Sequence, residues 1–135
     1  MENIQFDSGL RSYRVNGGEL LRFNPGDPNL YARFLESVDK LKAVEAELSG
    51  EELSGAEETL KLLSRADGKM KDILNWVFGS HNDFHRILQG INLLAVAENG
   101  ERVVTNLFAA LEPVLIAGAR ECAARQAAQM REGSK

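Results

Sequence analysis

The chain has 135 residues, of which 44% are hydrophobic and 27% are charged, so it can form one domain with an ordinary core. Its 16 basic and 20 acidic residues give a net charge of −4, which argues against broad binding to nucleic-acid phosphates. The single cysteine, Cys122, excludes an internal disulfide and a cysteine-based zinc cluster.

Residues 1–25 contain short stretches in which apolar and polar residues alternate, as they do in half-buried strands. Ile4 and Phe6 form the first of these stretches. Two more flank Asn16-Gly17, a pair that accepts the positive φ angles of a type I′ turn. We therefore predict a β-hairpin of residues 11–15 and 19–23, with an ordered but irregular arm as the alternative.

A long amphipathic helix is predicted to begin directly after the turn-forming residues 24–27. Asp27 can accept a hydrogen bond from the first free amides, and Pro28 suits the first helical position. Ser49-Gly50 closes this helix. Apolar residues at intervals of three and four form one of its faces: Leu30, Phe34, Val38, Leu41, Val44 and Leu48.

A second long helix should pack antiparallel to the first, because the connection between them is short. Two capping boxes are available for its start, Ser49 with Glu52 and Ser54 with Glu57. The second box fits the apolar pattern that follows better than the first. Asp67-Gly68 is expected to weaken or kink this helix.

Two further helical patterns follow the second helix. Ser80 can cap a short helix that ends at Gly90. A last helical region is predicted to begin near Asn92, to break at Asn99-Gly100 and to resume from Val103.

The end of the last helix carries two special features. Pro113 lacks an amide hydrogen, so we expect a kink or a restart at that position. Residues 119–130 are rich in alanine, which favours a helix but offers little surface for packing. This segment is therefore predicted to project, to fray or to dock on another chain.

The sequence offers two candidates for a chemical site. His81 and His85 are four residues apart and could share a metal ion, but Asn82 occupies the position where zinc metalloproteases place a glutamate. Cys122 lies near arginines, yet no histidine or second thiol is close in sequence, so a small hydrophobic role is favoured. We expect no catalytic set, no metal and no cofactor.

Two other features suggest contacts with partners. Residues 45–58 contain six glutamates and no base, which is typical of a solvated helix end and alternatively of a contact with a basic partner. Trp76-Val77-Phe78 has more apolar residues than one core-facing stripe needs. Either the short helix that follows buries this helix end, or Trp76 or Phe78 is an exposed anchor for a partner.

Four elements of the pattern resemble those of a known family. They are a strand-like arm that leads into a helix start at 28–34, the helical stretch 38–48, Phe78-Gly79 with Gly90 after it, and an apolar helix with Leu107, Phe108 and Leu111. Over roughly residues 24–115 the chain resembles the small tail assembly chaperones of long-tailed phages and prophages, particularly those of Gram-positive hosts.

The resemblance implies a protein that is not an enzyme. Members of that family bind the hydrophobic helices of the tape-measure protein and bring tail-tube subunits to it in the host cytoplasm. Self-association is common among them, so the resemblance also permits a homo-oligomer. A longer, frameshifted form is common there as well, and the tail from residue 119 would suit the joint to such an extension.

Two alternatives from other classes remain open. One is a secreted helical-hairpin adaptor or effector with a Trp-x-Gly turn, although two residues rather than one separate Trp76 from Gly79. The other is an antitoxin-like regulatory module that uses the acidic segment 45–58. The neighbouring genes would distinguish these alternatives from a tail chaperone.

These observations predict an α+β, mainly α fold in one domain, with a β-hairpin arm (1–25), a helical core (26–118) and a helical tail (119–135). The core contains an antiparallel helix pair, a short helix and a kinked C-terminal helix. The expected partner-binding residues are Trp76, Phe78, Phe108 and Leu111. We expect no membrane span or signal peptide, no nucleic-acid partner, and a cytoplasmic location.

Overall fold

An N-terminal arm, a hairpin and four helices make up the computed structural model, which describes residues 1–50 and 55–133. The arm, residues 1–10, has no regular secondary structure. The elements are β1 (Arg11–Arg14), β2 (Leu20–Phe23), α1 (Pro28–Ser49), α2 (Ala56–Phe78), α3 (Phe84–Ile87) and α4 (Val103–Gly133). The predicted mainly helical α+β fold with an N-terminal hairpin is thus confirmed.

The hairpin forms as Asn16-Gly17 predicts. Both residues have positive φ angles, 49° and 71°, which a type I′ turn requires at its two central positions. The amide of Gly18 donates to the carbonyl of Val15 across the turn at 2.9 Å. On the core side of the hairpin, Tyr13 stacks on Phe23 with ring centroids 4.6 Å apart. The hairpin therefore presents an apolar face to the helices.

One buried side chain covers the outer edge of β2. Asn82 is 1% exposed, and its Oδ1 accepts from the amide of Arg22 at 2.9 Å. Its Nδ2 donates to the carbonyl of Arg22 at 2.7 Å and to that of Phe78 at 2.8 Å. The side-chain amide therefore takes the place of a third strand beside Arg22 and fastens the hairpin to the end of α2.

Asn82→Ala is expected to lower the free energy of unfolding by about 2 kcal/mol, because it removes three hydrogen bonds to the backbone and leaves partly buried backbone groups unpaired. Urea unfolding followed by circular dichroism measures this change. Asn29→Ala, at an exposed asparagine in the first turn of α1, is the matched control and should cost less than about 0.5 kcal/mol. Equal shifts for the two variants would contradict the role of Asn82.

Helix α1 has the predicted bounds and the predicted cap. The Oδ1 of Asp27 accepts from the amide of Asn29 at 2.9 Å, and Pro28 occupies the first turn. The start of α1 lies beside the end of α2, where Arg33 Nε donates to the carbonyl of Val77 at 2.9 Å. The two helices therefore run antiparallel, as the short connection predicts.

Helix α2 begins at Ala56, and its N-cap residue Gly55 provides no side-chain hydrogen bond. The predicted capping boxes depend on Glu52 and Ser54, which lie outside the described residues. The helix runs without interruption through Asp67-Gly68. Asp67 instead has a structural role, because its carboxylate accepts from the amide of Leu93 and from Lys71 Nζ, each at 2.8 Å.

The segment between α2 and α4 differs from the prediction. Asp83 rather than Ser80 caps α3, and its Oδ1 accepts from the amide of His85 at 3.0 Å. The helix predicted to begin near Asn92 is absent from this described segment, which forms turns and an isolated antiparallel bridge between Val96 and Arg102 before α4 begins at Val103. The physical reason is local: the side chain of Asn92 accepts from the amide of Leu94 at 2.8 Å, which favours a turn.

Helix α4 has 31 residues and a length of about 46 Å. It continues through Pro113, where we expected a kink or restart, and does not restart there. Pro113 and Ala109, four residues earlier, are both exposed, so water can hydrate the carbonyl that Pro113 leaves unpaired. From residue 123 to 133 every residue is exposed, so the end of α4 projects from the core, one of the three outcomes we predicted for this segment.

The core lies between α1 and α2 and extends beneath the hairpin, α3 and the first half of α4. Its most enclosed side chains come from every one of these elements. They include Leu21, Phe34, Met70, Leu74, Val77, Phe84, Ile87, Leu93 and Leu115.

Candidate protein-binding surfaces

Trp76 lies near the end of α2 and is 41% exposed. The ammonium group of Lys40 lies over the indole, with Nζ 4.0 Å from the ring centroid. This cation–π contact holds the ring against α1 while leaving part of its surface open to solvent. Trp76 is therefore accessible to a partner.

Phe78 does not share that surface. It is 4% exposed and packs between Phe23 of the hairpin, 5.2 Å away between ring centroids, and Phe84 of α3, 5.4 Å away. The expectation that Phe78 is available to a partner is wrong in this structure, because the hairpin and α3 cover the end of α2. Its substitution would damage the core rather than a binding surface.

Phe108 borders an open groove of about 380 Å³ between α1 and α4. Its ring stacks on Phe34 of α1, with centroids 5.2 Å apart, and it is partly buried. We call this the α1–α4 groove; its lining includes Val38, Lys42, Glu45, Thr105, Phe108, Ala109 and Glu112. The groove has an apolar floor and charged residues along its margins.

Leu111 faces the core and contributes to the wall of a second groove, between the hairpin and α4. It is buried, so only a small part of its surface is open to a partner. This β1–α4 groove has a volume of about 470 Å³, and its lining includes Tyr13, Val15, Leu107, Ala110, Leu111 and Val114. Sequence reasoning missed this groove, because it depends on how α4 lies beside β1.

The four predicted residues do not form one surface. Trp76 contacts Lys40, whereas Phe108 contacts Phe34 and lies beside Val38. At 3.6 residues per turn, positions 38 and 40 point to different sides of α1. The structure therefore places the two accessible rings, Trp76 and Phe108, on opposite flanks of α1. The other two residues, Phe78 and Leu111, lie in the core.

The N-terminal arm exposes apolar side chains that the sequence pattern assigned to a half-buried strand. Ile4 is 88% exposed and Phe6 is 80% exposed, and the arm pairs with no strand among the described residues. The alternation of Ile4 and Phe6 was the available signal, but alternation alone does not show whether a partner strand exists in the same chain. The arm is an additional candidate for a partner contact.

The acidic segment is partly neutralised by bases from other elements. Glu45 lies 3.7 Å from Arg102, and Glu47 lies 3.0 Å from Lys69. Within α2, Glu57 pairs with Lys61 at 3.3 Å. Glu51 and Glu52 lie outside the described residues. Sequence spacing could not reveal the first two pairs, because they join residues that are distant along the chain.

The histidines and the cysteine have separate surroundings. His85 Nε2 lies 3.5 Å from Asp72 Oδ1, whereas His81 Nε2 contacts the amide of Asn82 at 3.2 Å. In residues 1–50 and 55–133, no group of three or more His, Cys, Asp or Glu side chains is arranged to hold a metal ion. Cys122 is half-buried beside the Pro25–Gly26 turn.

Helix α4 meets the length and composition criterion for a membrane span. It contains a window with a mean hydropathy of 1.4, so by length and composition it could cross a bilayer. Only 22% of that window is buried in the structure. The sequence prediction of no membrane span rests on uninterrupted apolar runs, which a few polar residues in α4 break. Core helices of soluble proteins also meet the length and composition criterion.

Comparison with known proteins adds no family assignment. No protein-family model, curated protein or solved structure matches this chain.

Proposed function

We propose that this chain is a non-enzymatic tail assembly chaperone that binds an apolar helix of a tape-measure protein and brings tail-tube subunits to it. The resemblance described above supplies the identity of the partners. The observation that supports the mode of binding is the open α1–α4 groove with Phe108 in its lining.

The α1–α4 groove suits an amphipathic helix as its ligand. Such a helix binds by placing its apolar face in a groove between elements of its partner. The partly buried ring of Phe108, stacked on Phe34, provides a rigid aromatic contact of the kind that contributes most to interface energy. Lys42 and Glu112 at the margins offer both signs of charge to the polar flanks of the ligand.

The antitoxin-like alternative is less well supported. It requires the acidic segment to be free for a basic partner, but Glu45 and Glu47 already lie near Arg102 and Lys69 of the same chain. A basic partner would have to displace these ion pairs before it could form its own with the same glutamates. The segment therefore favours an internal role over recognition of a partner.

The test uses the full chain and the tape-measure protein of the phage or prophage that encodes it. Ala109→Arg places a long charged side chain in the α1–α4 groove at an exposed helix position, so the fold should be retained. We expect the affinity for the tape-measure protein, measured by isothermal titration, to fall by about tenfold or more. Ala117→Arg is the matched control, because Ala117 is exposed on the same helix and lines neither groove.

Two outcomes would contradict the proposal. One is that the wild-type chain does not bind the tape-measure protein; the other is that Ala109→Arg and Ala117→Arg bind it equally well. Trp76→Ala tests which flank of α1 binds the tape-measure protein. Because the indole faces away from the α1–α4 groove, this variant should bind the tape-measure protein as the wild type does.

A further inference from the structure

The arm leaves the hairpin in a defined direction. Asn24 Nδ2 donates to the carbonyl of Ser8 at 3.3 Å, and Gly9, with a φ angle of 76°, lies directly against the Asn24 side chain. Asn24 follows β2, so the arm is held on the β2 side of the hairpin. To fold back along the β1 strand of its own chain, the arm would have to turn at Ser8 and Gly9. Both residues instead contact the side chain of Asn24.

Strand β1 has a free edge on the opposite side. Arg22 points its amide and carbonyl away from β1, towards Asn82, and Ser12 is the residue paired with Arg22. Ser12 and Arg22 therefore form a non-hydrogen-bonded pair of the antiparallel ladder. In such a pair, the amide and carbonyl groups of both residues point away from the partner strand. The backbone groups of Ser12, and those of Arg14 two residues later, therefore face outward and have no partner in the part of the chain described here.

The β1–α4 groove lies under this free edge. Tyr13 of β1 and Val15 directly after it contribute side chains, and Leu107, Ala110 and Val114 contribute the facing wall from α4. Side chains alternate between the two faces of a sheet. A strand added beside β1 would therefore direct every second side chain into the groove, next to Tyr13 and Val15.

The arm has the pattern that this edge requires. Ile4 and Phe6 are two residues apart and strongly exposed, so both would lie on one face of an added strand. The arm also carries Glu2 and Asp7, whereas β1 carries Arg11 and Arg14. The charges of the arm and of the free strand therefore have opposite signs.

We infer that the arm of one copy adds as a strand to the free edge of β1 in a second copy, with Ile4 and Phe6 in the β1–α4 groove. The exposed apolar surface of the arm and that of the groove are then covered together. Backbone hydrogen bonds to Ser12 and Arg14 supply affinity, and the two groove-facing side chains set the register. This inference does not rest on the proposed chaperone function, because it uses the opposite flank of α4 from Phe108.

Cross-linking in the full chain tests the inference directly. Phe6→Cys and Ala110→Cys are introduced together with Cys122→Ser, and the protein is oxidised mildly. We expect disulfide-linked dimers and larger species on a non-reducing gel. An internal disulfide in a monomer would place the arm in its own groove and overturn the inference, as would the absence of any disulfide between positions 6 and 110.

A second measurement avoids engineered cysteines. Sedimentation velocity over a range of concentrations should show self-association of the wild type, weakened by about tenfold or more in Ile4→Ser/Phe6→Ser. Leu35→Ser/Leu60→Ser removes two other exposed apolar side chains and should associate as the wild type does. A wild type that is monomeric at every concentration would overturn the inference. So would equal association of the two double variants.

Discussion

Lys71→Met lowers the free energy of unfolding by about 4 kcal/mol, the largest effect that we expect from a single substitution in this chain. Lys71 is 2% exposed, and its Nζ lies 2.8 Å from Asp67 Oδ2. Methionine preserves most of the side-chain volume but removes the positive charge. The carboxylate of Asp67, itself largely buried, then keeps the amide of Leu93 as its hydrogen-bond donor but lacks an opposite charge.

Two further variants separate the buried pair from ordinary surface effects. Lys69→Met removes an exposed lysine that pairs with Glu47 at 3.0 Å, and it should cost less than about 1 kcal/mol. The double variant Asp67→Asn/Lys71→Met removes the second charge as well and retains an acceptor for the amide of Leu93. It should therefore regain part of the free energy of unfolding that Lys71→Met loses. Urea unfolding gives all three values; a loss for Lys71→Met no greater than that for Lys69→Met would contradict this account.

Gly118→Ala is expected to cost about 3 kcal/mol. Gly118 is buried in α4 and packs against the backbone of Pro25. A β-carbon there would lie 2.8 Å from the Pro25 Cβ and closer still to the Pro25 carbonyl group, so α4 or the segment before α1 must move. Helix propensity alone would make alanine stabilising at this position, so the predicted sign depends on the packing contact.

Gly68→Ala is the matched control for this prediction. Gly68 also lies inside a helix, but apart from its chain neighbours and the nearby backbone of its own helix, a β-carbon there would meet no atom of the described structure within 4 Å. Its replacement should raise stability by up to about 1 kcal/mol. Thermal and urea unfolding of both variants should therefore give changes of opposite sign. Stabilisation by Gly118→Ala would show that α4 does not pack against Pro25 as described.

Elements defined by neighbouring residues could be predicted from the sequence. The hairpin turn follows from the backbone preference of Asn16-Gly17, and α1 follows from the cap at Asp27 and its apolar face. The helix start predicted near Asn92 is wrong, because apolar spacing does not reveal the local hydrogen bond of the Asn92 side chain. A side chain that bonds to the backbone two residues later outweighs that spacing over a short segment.

Contacts between distant residues could not be predicted in the same way. Asn82 reaches Arg22 across 60 positions of sequence, and Gly118 fits against Pro25 only after α4 has packed beside the hairpin. The same limitation applies to the candidate surfaces. Phe78 and Trp76 have similar neighbours in the sequence. The hairpin buries Phe78, whereas Trp76 contacts Lys40 of α1 on one face and stays partly exposed. The described fold, not local composition, determines which ring a partner can reach.

The position of α4 has a thermodynamic consequence. Thr105 and Ala109 border the α1–α4 groove, whereas Ala110 and Val114 border the β1–α4 groove. At 3.6 residues per turn, these pairs lie on opposite flanks of the helix. A sideways shift of α4 that widens one groove therefore narrows the other. Two ligands that each widen their own groove bind with negative cooperativity, and each weakens the other's affinity by the same factor.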